Sequence, residues 1–167
     1  MKITQDNSGS EALEKLADQM KRAKLEVGFF DTATYPDGTP VAYVAAIQEF
    51  GNPAGNNPSR PFFRNAISKN DGWKDLASKA MNAVVEGRIE LNQALNQMGL
   101  KMGADVQESI TDGSYEELKQ STLDARQSRK RTEGVASKPL IDTGQMLQAV
   151  SYSVSDGEII PVNKSAK

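Results

Sequence analysis

The chain has 167 residues and contains neither cysteine nor histidine. Without cysteine there are no thiol nucleophiles and no disulfides, and the redox compartment is left open. Without either residue the common zinc ligand sets are absent, and histidine is lost as general base and metal ligand. A carboxylate-only metal site or a Lys/Tyr mechanism stays open in principle, but no constellation for one is visible. We expect no enzyme activity, no cofactor and no required metal. Aromatic residues are sparse, at 6%. No apolar run approaches the roughly 20 residues that a membrane-spanning helix needs. The opening MKITQDNSGSEALEK has no apolar core, so no secretory signal and no membrane partner are expected. The net charge is −2, which disfavours a whole-molecule nucleic-acid binder but leaves room for a local basic patch.

What is present reads as a single α+β domain over residues 1–167, long enough to bury a sizeable core. Residues 1–9 are polar and expected to be loose. Ser10, with Glu11 and Glu14 behind it, opens a helix whose apolar stripe is Leu13, Leu16, Ala17 and Met20 and whose end carries Lys21, Arg22 and Lys24. Leu25–Phe30 reads as a strand. Tyr35–Pro40 (YPDGTP) is a turn, and Val41–Phe50 a short helix capped by Gly51. Asn52–Arg60 is a polar loop. Pro61 suits the first position of a helix over Phe62–Ser68. Trp73–Ile110 repeats apolar residues at threes and fours, a helix of roughly 57 Å if unbroken. A break or kink is expected at Gly87. Gly99 and Gly103 leave surface on which another backbone can come close. Tyr115–Lys130 reads as a polar helix or helical turn. Asp142 and Gln145 have capping-box spacing before a short helix Gly144–Ala149. Val150–Val154 and Glu158–Val162 alternate around Asp156-Gly157 as a hairpin. The predicted fold is thus a small antiparallel or mixed sheet packed with an N-terminal helix and a long central helix, with a C-terminal β-hairpin.

Two elements stand out by their order and separation. The first is Glu49-Phe50-Gly51, followed after the loop by Arg60-Pro61-Phe62-Phe63-Arg64. The second is Leu140-Ile141-Asp142-Thr143-Gly144. Together they resemble the "EFG … RPF(L/F)R" and "L(I/V)DTG" elements of the tail-completion and head–tail joining proteins of tailed bacteriophages. The likeness covers roughly Leu25 to Val154. Val27-Gly28 resembles that family's early strand, and Gly99, Val106, Ile110 and Gly113 its central helix and exit. Leu118, Ser121, Thr122, Leu123 and Arg126 resemble the stretch before its DTG element. The loop Asn52–Ser59 departs from the family's shorter run, and the segment between Thr122 and Pro139 is more charged than the family's.

The resemblance implies an α+β structural virion protein of the neck or tail, assembled in the host cytoplasm. It implies a ring of identical copies, typically a hexamer, between a head connector or head-completion protein and a tail terminator or tail-tube protein, with possible contact to packaged DNA. The signature residues Glu49, Phe50, Gly51, Pro61, Phe62, Asp142, Thr143 and Gly144 are then architectural.

Phe62 and Phe63 are expected in the core. Arg60 and Arg64 are candidates for contact with a neighbouring subunit, because arginine is enriched at interfaces. Glu49, a lone carboxylate, is expected to pair with Arg60 or Arg64. Lys119–Lys138 holds six basic residues (Lys119, Arg126, Arg129, Lys130, Arg131, Lys138) against Asp124 and Glu133. Arg126, Arg129, Lys130 and Arg131 are the interface candidates there. The alternative function is a nucleic-acid-binding accessory protein using residues 119–138. A solvated face is the simpler reading, and no aromatic interleaving supports base stacking. Residues 52–60 and 127–137 are expected to be mobile loops that order on contact with neighbours.

Overall fold

The computed structural model describes residues 8–69, 72–128, 137–155 and 159–162. Helix α1 spans Ser8–Arg22 and leads within two residues into strand β1, Leu25–Phe29. A turn through Tyr35–Thr39, closed by Tyr35 N–H to the Thr39 carbonyl at 2.8 Å, delivers the chain to α2, Val41–Phe50. Helices α3 (Phe62–Lys69), α4 (Gly72–Val85), α5 (Leu91–Asp112), α6 (Gln120–Gln127) and α7 (Gln145–Gln148) follow. Strands β2 (Val150–Val154) and β3 (Ile160–Pro161) close the order. The fold is α+β, and the sheet is antiparallel.

The sheet order is β1-β2-β3. Leu25 pairs with Val154 and Phe29 with Val150, so segments more than a hundred residues apart in sequence lie side by side. Ser151 pairs with Pro161 and Tyr152 with Ile160, the arms of the expected hairpin. Its expected turn, Asp156-Gly157, lies outside the described residues. Alternation along β1 and β2 places Leu25, Val27, Phe29, Val150, Tyr152 and Val154 on the face that joins the main core.

Helix α5 is the central member. A Cβ on Gly99 would stand 2.5 Å from Cδ2 of Tyr152 and 3.0 Å from Cδ1 of Leu25. One on Gly103 would collide with Val162. These glycines therefore admit the sheet of their own chain. They are not spare surface for a neighbour, as their spacing suggested. Val41, Phe62, Val106, Ile110 and Val150 are fully buried between α2, α3, α5 and the sheet. Phe29 meets Phe62 edge to face at 5.9 Å.

The predicted break near Gly87 is a complete reversal. Gly87 sits at φ +71°, a conformation open to glycine at little cost. Helices α4 and α5 then pack antiparallel around Ala80, Val84, Ala94 and Met98. The far end is joined by Trp73 Nε1–H to Asp105 Oδ2 at 2.7 Å. The single 57 Å helix thus folds in half, because its apolar stripe buries more surface against itself than it could alone.

The α1 stripe departs from expectation in another way. Leu16 packs on the α4–α5 cluster, but Leu13 and Met20 are 57% and 39% exposed, and Ala17 is also exposed.

Candidate functional site

The two sequence elements are built as interlocks. In the first, Gly51 ends α2 at φ +79°, and its N–H donates to the Ile47 carbonyl at 2.8 Å. A Cβ there would lie 2.9 Å from the Ser59 nitrogen, so both backbone angle and close approach require glycine. The loop beyond it is internally bonded. Asn52 N–H donates to the Asn57 carbonyl at 2.8 Å, and the Asn52 side chain accepts from Gly55 N–H at 3.2 Å. The chain returns alongside α2, where Arg60 N–H donates to the Gln48 carbonyl at 2.7 Å.

Glu49 is buried at the last turn of α2 and faces the start of α3. Its carboxylate accepts from Phe63 N–H at 2.8 Å and Arg64 N–H at 3.2 Å. It also takes Arg64 Nε at 2.8 Å, and Arg64 Nη2 donates to the Glu49 carbonyl at 3.0 Å. A carboxylate at a helix N-terminus satisfies otherwise unpaired N–H groups and opposes the helix dipole. Glu49 is thus a cap supplied by another helix. Pro61 is the residue just before the first helical position, its carbonyl accepting from Asn65 N–H at 2.9 Å.

Arg60 was a candidate for contact with a neighbour, but only 3% of it is exposed. Its Nε donates to the Glu116 carbonyl at 3.2 Å, and Nη1 to Gln48 Oε1 and Asn57 Oδ1, both at 3.0 Å. Burial pushes this guanidinium down from its ordinary value, partly opposed by the Glu116 charge. Arg60 therefore ties the loop, α2 and the segment after α5 together. Arg64 keeps 57% of its side chain exposed and lies over the Phe50 ring at 5.3 Å. Of the two arginines, it alone presents charge outward.

The second interlock centres on Arg126 of α6, also buried. Nη1 donates to the carbonyls of Lys138 and Ile141 at 3.0 and 2.9 Å, and Nη2 reaches the Pro139 carbonyl at 3.4 Å. Asp142 Oδ1 lies 3.5 Å from Nε. Three carbonyls and one carboxylate around one planar fork fix the backbone of the Leu140–Gly144 element. Asp142 faces Arg126, so the expected capping box does not form. Gly144 is the N-cap residue of α7, with no side-chain cap, and Gln145 N–H meets only Thr143 Oγ1 at 3.4 Å. Lys138 is likewise occupied, donating to the Thr111 carbonyl at 2.6 Å. Two of the six basic residues expected to form a patch thus hold their own chain. Arg129, Lys130 and Arg131 lie outside the described residues, as does Glu133.

Two depressions border these interlocks. One, of about 440 Å³, is walled by the second element, by α2 and by the Tyr35–Thr39 turn, and includes Tyr35, Asp37, Gln48, Arg126, Asp142 and Gln145. Burial, then the charges of Asp142 and Asp37, push the Tyr35 hydroxyl up from its ordinary value. Hydrogen bonds from Thr39 hold Asp37 below the usual carboxylate range. The other, of about 370 Å³, runs between β1, α2 and α3 and is apolar, lined by Val27, Phe29, Ala42, Ala46, Phe50 and Phe63, with Arg64 at its edge.

Sequence reasoning missed two supports. Buried Asp105 takes Trp73 and Lys101 together, and Ser109 donates to the Phe62 carbonyl at 2.8 Å while Tyr115 Oη donates to the Ser109 carbonyl at 2.7 Å. Only the i, i+4 spacing of Lys101 and Asp105 was a usable signal. Among the described residues, no three His, Cys, Asp or Glu side chains are placed to hold a metal ion. No described helix is long and apolar enough to cross a membrane.

Comparison with protein-family models, with curated proteins and with solved structures gives no match to this chain.

Proposed function

We propose that the chain is a structural protein of the neck of a tailed bacteriophage. In this reading it forms a ring that joins the head connector to the tail and completes the tail. The reading rests on the sequence elements and on what their residues do. Glu49, Gly51, Arg60 and Arg126 are all engaged in holding backbone in place. Glu49 and Gly51 thus have the architectural role expected of signature residues, whereas Arg60 and Arg126, expected as contacts to neighbours, are buried within the chain.

The observation that carries the reading is the pairing of these two interlocked elements with apolar surface left outside the core. Tyr43 and Phe50 on α2 are 61% and 69% exposed. Exposed aromatics beside an arginine are the composition of a contact surface. The test is a joining assay. Extracts of the phage that encodes this chain, with its gene disrupted, should accumulate separate heads and tails. Adding the purified protein should restore infectious particles. Normal particles from the disrupted phage would sink the reading.

A further inference from the structure

Two surfaces of this chain are apolar and uncovered, and they match. The first is the α1 stripe. Leu13, Ala17 and Met20 stand at i, i+4 and i+7, the spacing by which a helix lies in an apolar groove. Helix α1 is already seated on its own domain by Leu16, against the α4–α5 cluster, and no residue of that cluster lines the apolar groove. Only Ala23 and Lys24 separate it from β1. Leu13, Ala17 and Met20 lie beside Leu16 on the helix and are left exposed.

The second surface is the groove between β1, α2 and α3. Its charged lining residues are Glu49, buried and satisfied, and Arg64, more than half exposed. The accessible charge at its edge is positive. An occupant should be an apolar helix face flanked by a carboxylate. On α1, Glu14 follows Leu13 and precedes Ala17 by three, so it flanks the stripe.

We propose that α1 of one copy docks in the β1–α2–α3 groove of the next, with Leu13, Ala17 and Met20 against Ala42, Ala46 and Phe50 and Glu14 beside Arg64. The donor and acceptor surfaces differ, so the contact is head-to-tail. Such contacts give a ring where the rotation between copies closes and an open filament where it does not. This deepens the neck reading by naming the contact between copies. It relies on that reading only for ring closure.

The test uses the purified full chain in sedimentation-velocity runs over a concentration series. Wild-type protein should associate as concentration rises. Leu13→Glu with Met20→Glu damages only the donor helix, and Ala46→Glu only the groove. All three sites are solvent-accessible and glutamate favours helix, so thermal melting should stay unchanged. Each variant alone should sediment as a monomer. An equimolar mixture should give a one-to-one dimer and nothing larger, because one intact helix and one intact groove remain. A monomeric wild type at every concentration, variants that associate like the wild type, or a mixture that stays monomeric would each overturn the proposal. None of these outcomes bears on where the protein sits in a particle, which decides the neck reading separately.

Discussion

Glu49 and Arg64 meet three times: side chain to side chain at 2.8 Å, Arg64 Nη2 to the Glu49 carbonyl at 3.0 Å, and Arg64 N–H to the Glu49 carboxylate at 3.2 Å. The carboxylate simultaneously caps α3 through Phe63 and Arg64 N–H. Glu49→Ala removes every one of the side-chain contacts and leaves two helix-terminal donors without their acceptor. We expect a loss of about 2–3 kcal/mol, read as a lower urea midpoint. Glu49→Gln keeps an acceptor and should lose about half as much. Equal losses would mean that the neutral acceptor contributes nothing and that the charge carries the whole effect.

Gly99→Ala sets helix propensity against packing. Alanine gains about 1 kcal/mol in a helix interior. Its Cβ would press on Tyr152, which is 4% exposed and central in the sheet, so the neighbour has little room to give. We expect packing to win, with a net destabilisation of about 1–2 kcal/mol. A stabilised variant would show that β2 can shift away from α5.

Arg126→Lys tests the clamp. A lysine has one ammonium where arginine spreads donors over a planar fork. Hydrogen exchange should speed up over Pro139–Thr143, and the melting temperature should fall by several degrees, corresponding to about 2 kcal/mol. Unchanged exchange would mean that this backbone is held by its packing alone, through Leu140 and Met146.

The pH dependence follows from Tyr35. Its hydroxyl is raised by burial and then by Asp142 and Asp37, so the folded state holds this proton more tightly than the unfolded state. The stabilisation is fully present below the ordinary tyrosine value of about 10 and is lost as pH rises through the folded-state value. The Tyr35 hydroxyl should titrate late in an absorbance titration. Tyr35→Phe should remove that late component and flatten the alkaline limb of the stability curve. A wild-type titration with no late component would contradict this.

Periodicity made most of the fold legible. The short helix at Val41–Phe50, the strand from Leu25 and the Gly51 cap all carry local signals in their own residues. The position of Gly87 indicated a break, but the reversal depends on surface buried between distant turns, which no local pattern contains. Gly99 and Gly103 marked a close approach correctly, whereas what approaches is set by pairing between β1 and β2, over a hundred residues apart. The same limit explains Arg60 and Arg126. As isolated arginines they read as surface charge, and their burial comes from carbonyls of remote segments. Asp142 had the spacing of a capping residue but turns to Arg126, because a guanidinium is the stronger partner.

The role proposed for this chain is that of a ring component at the head–tail junction. The most direct measurement is electron microscopy of purified particles carrying a label on this protein, with copy number from quantitative mass spectrometry. We expect the label at the neck and several copies per particle, in a fixed ratio to the tail. A particle without the protein, a single copy per particle, or a label scattered over the capsid would contradict the claim.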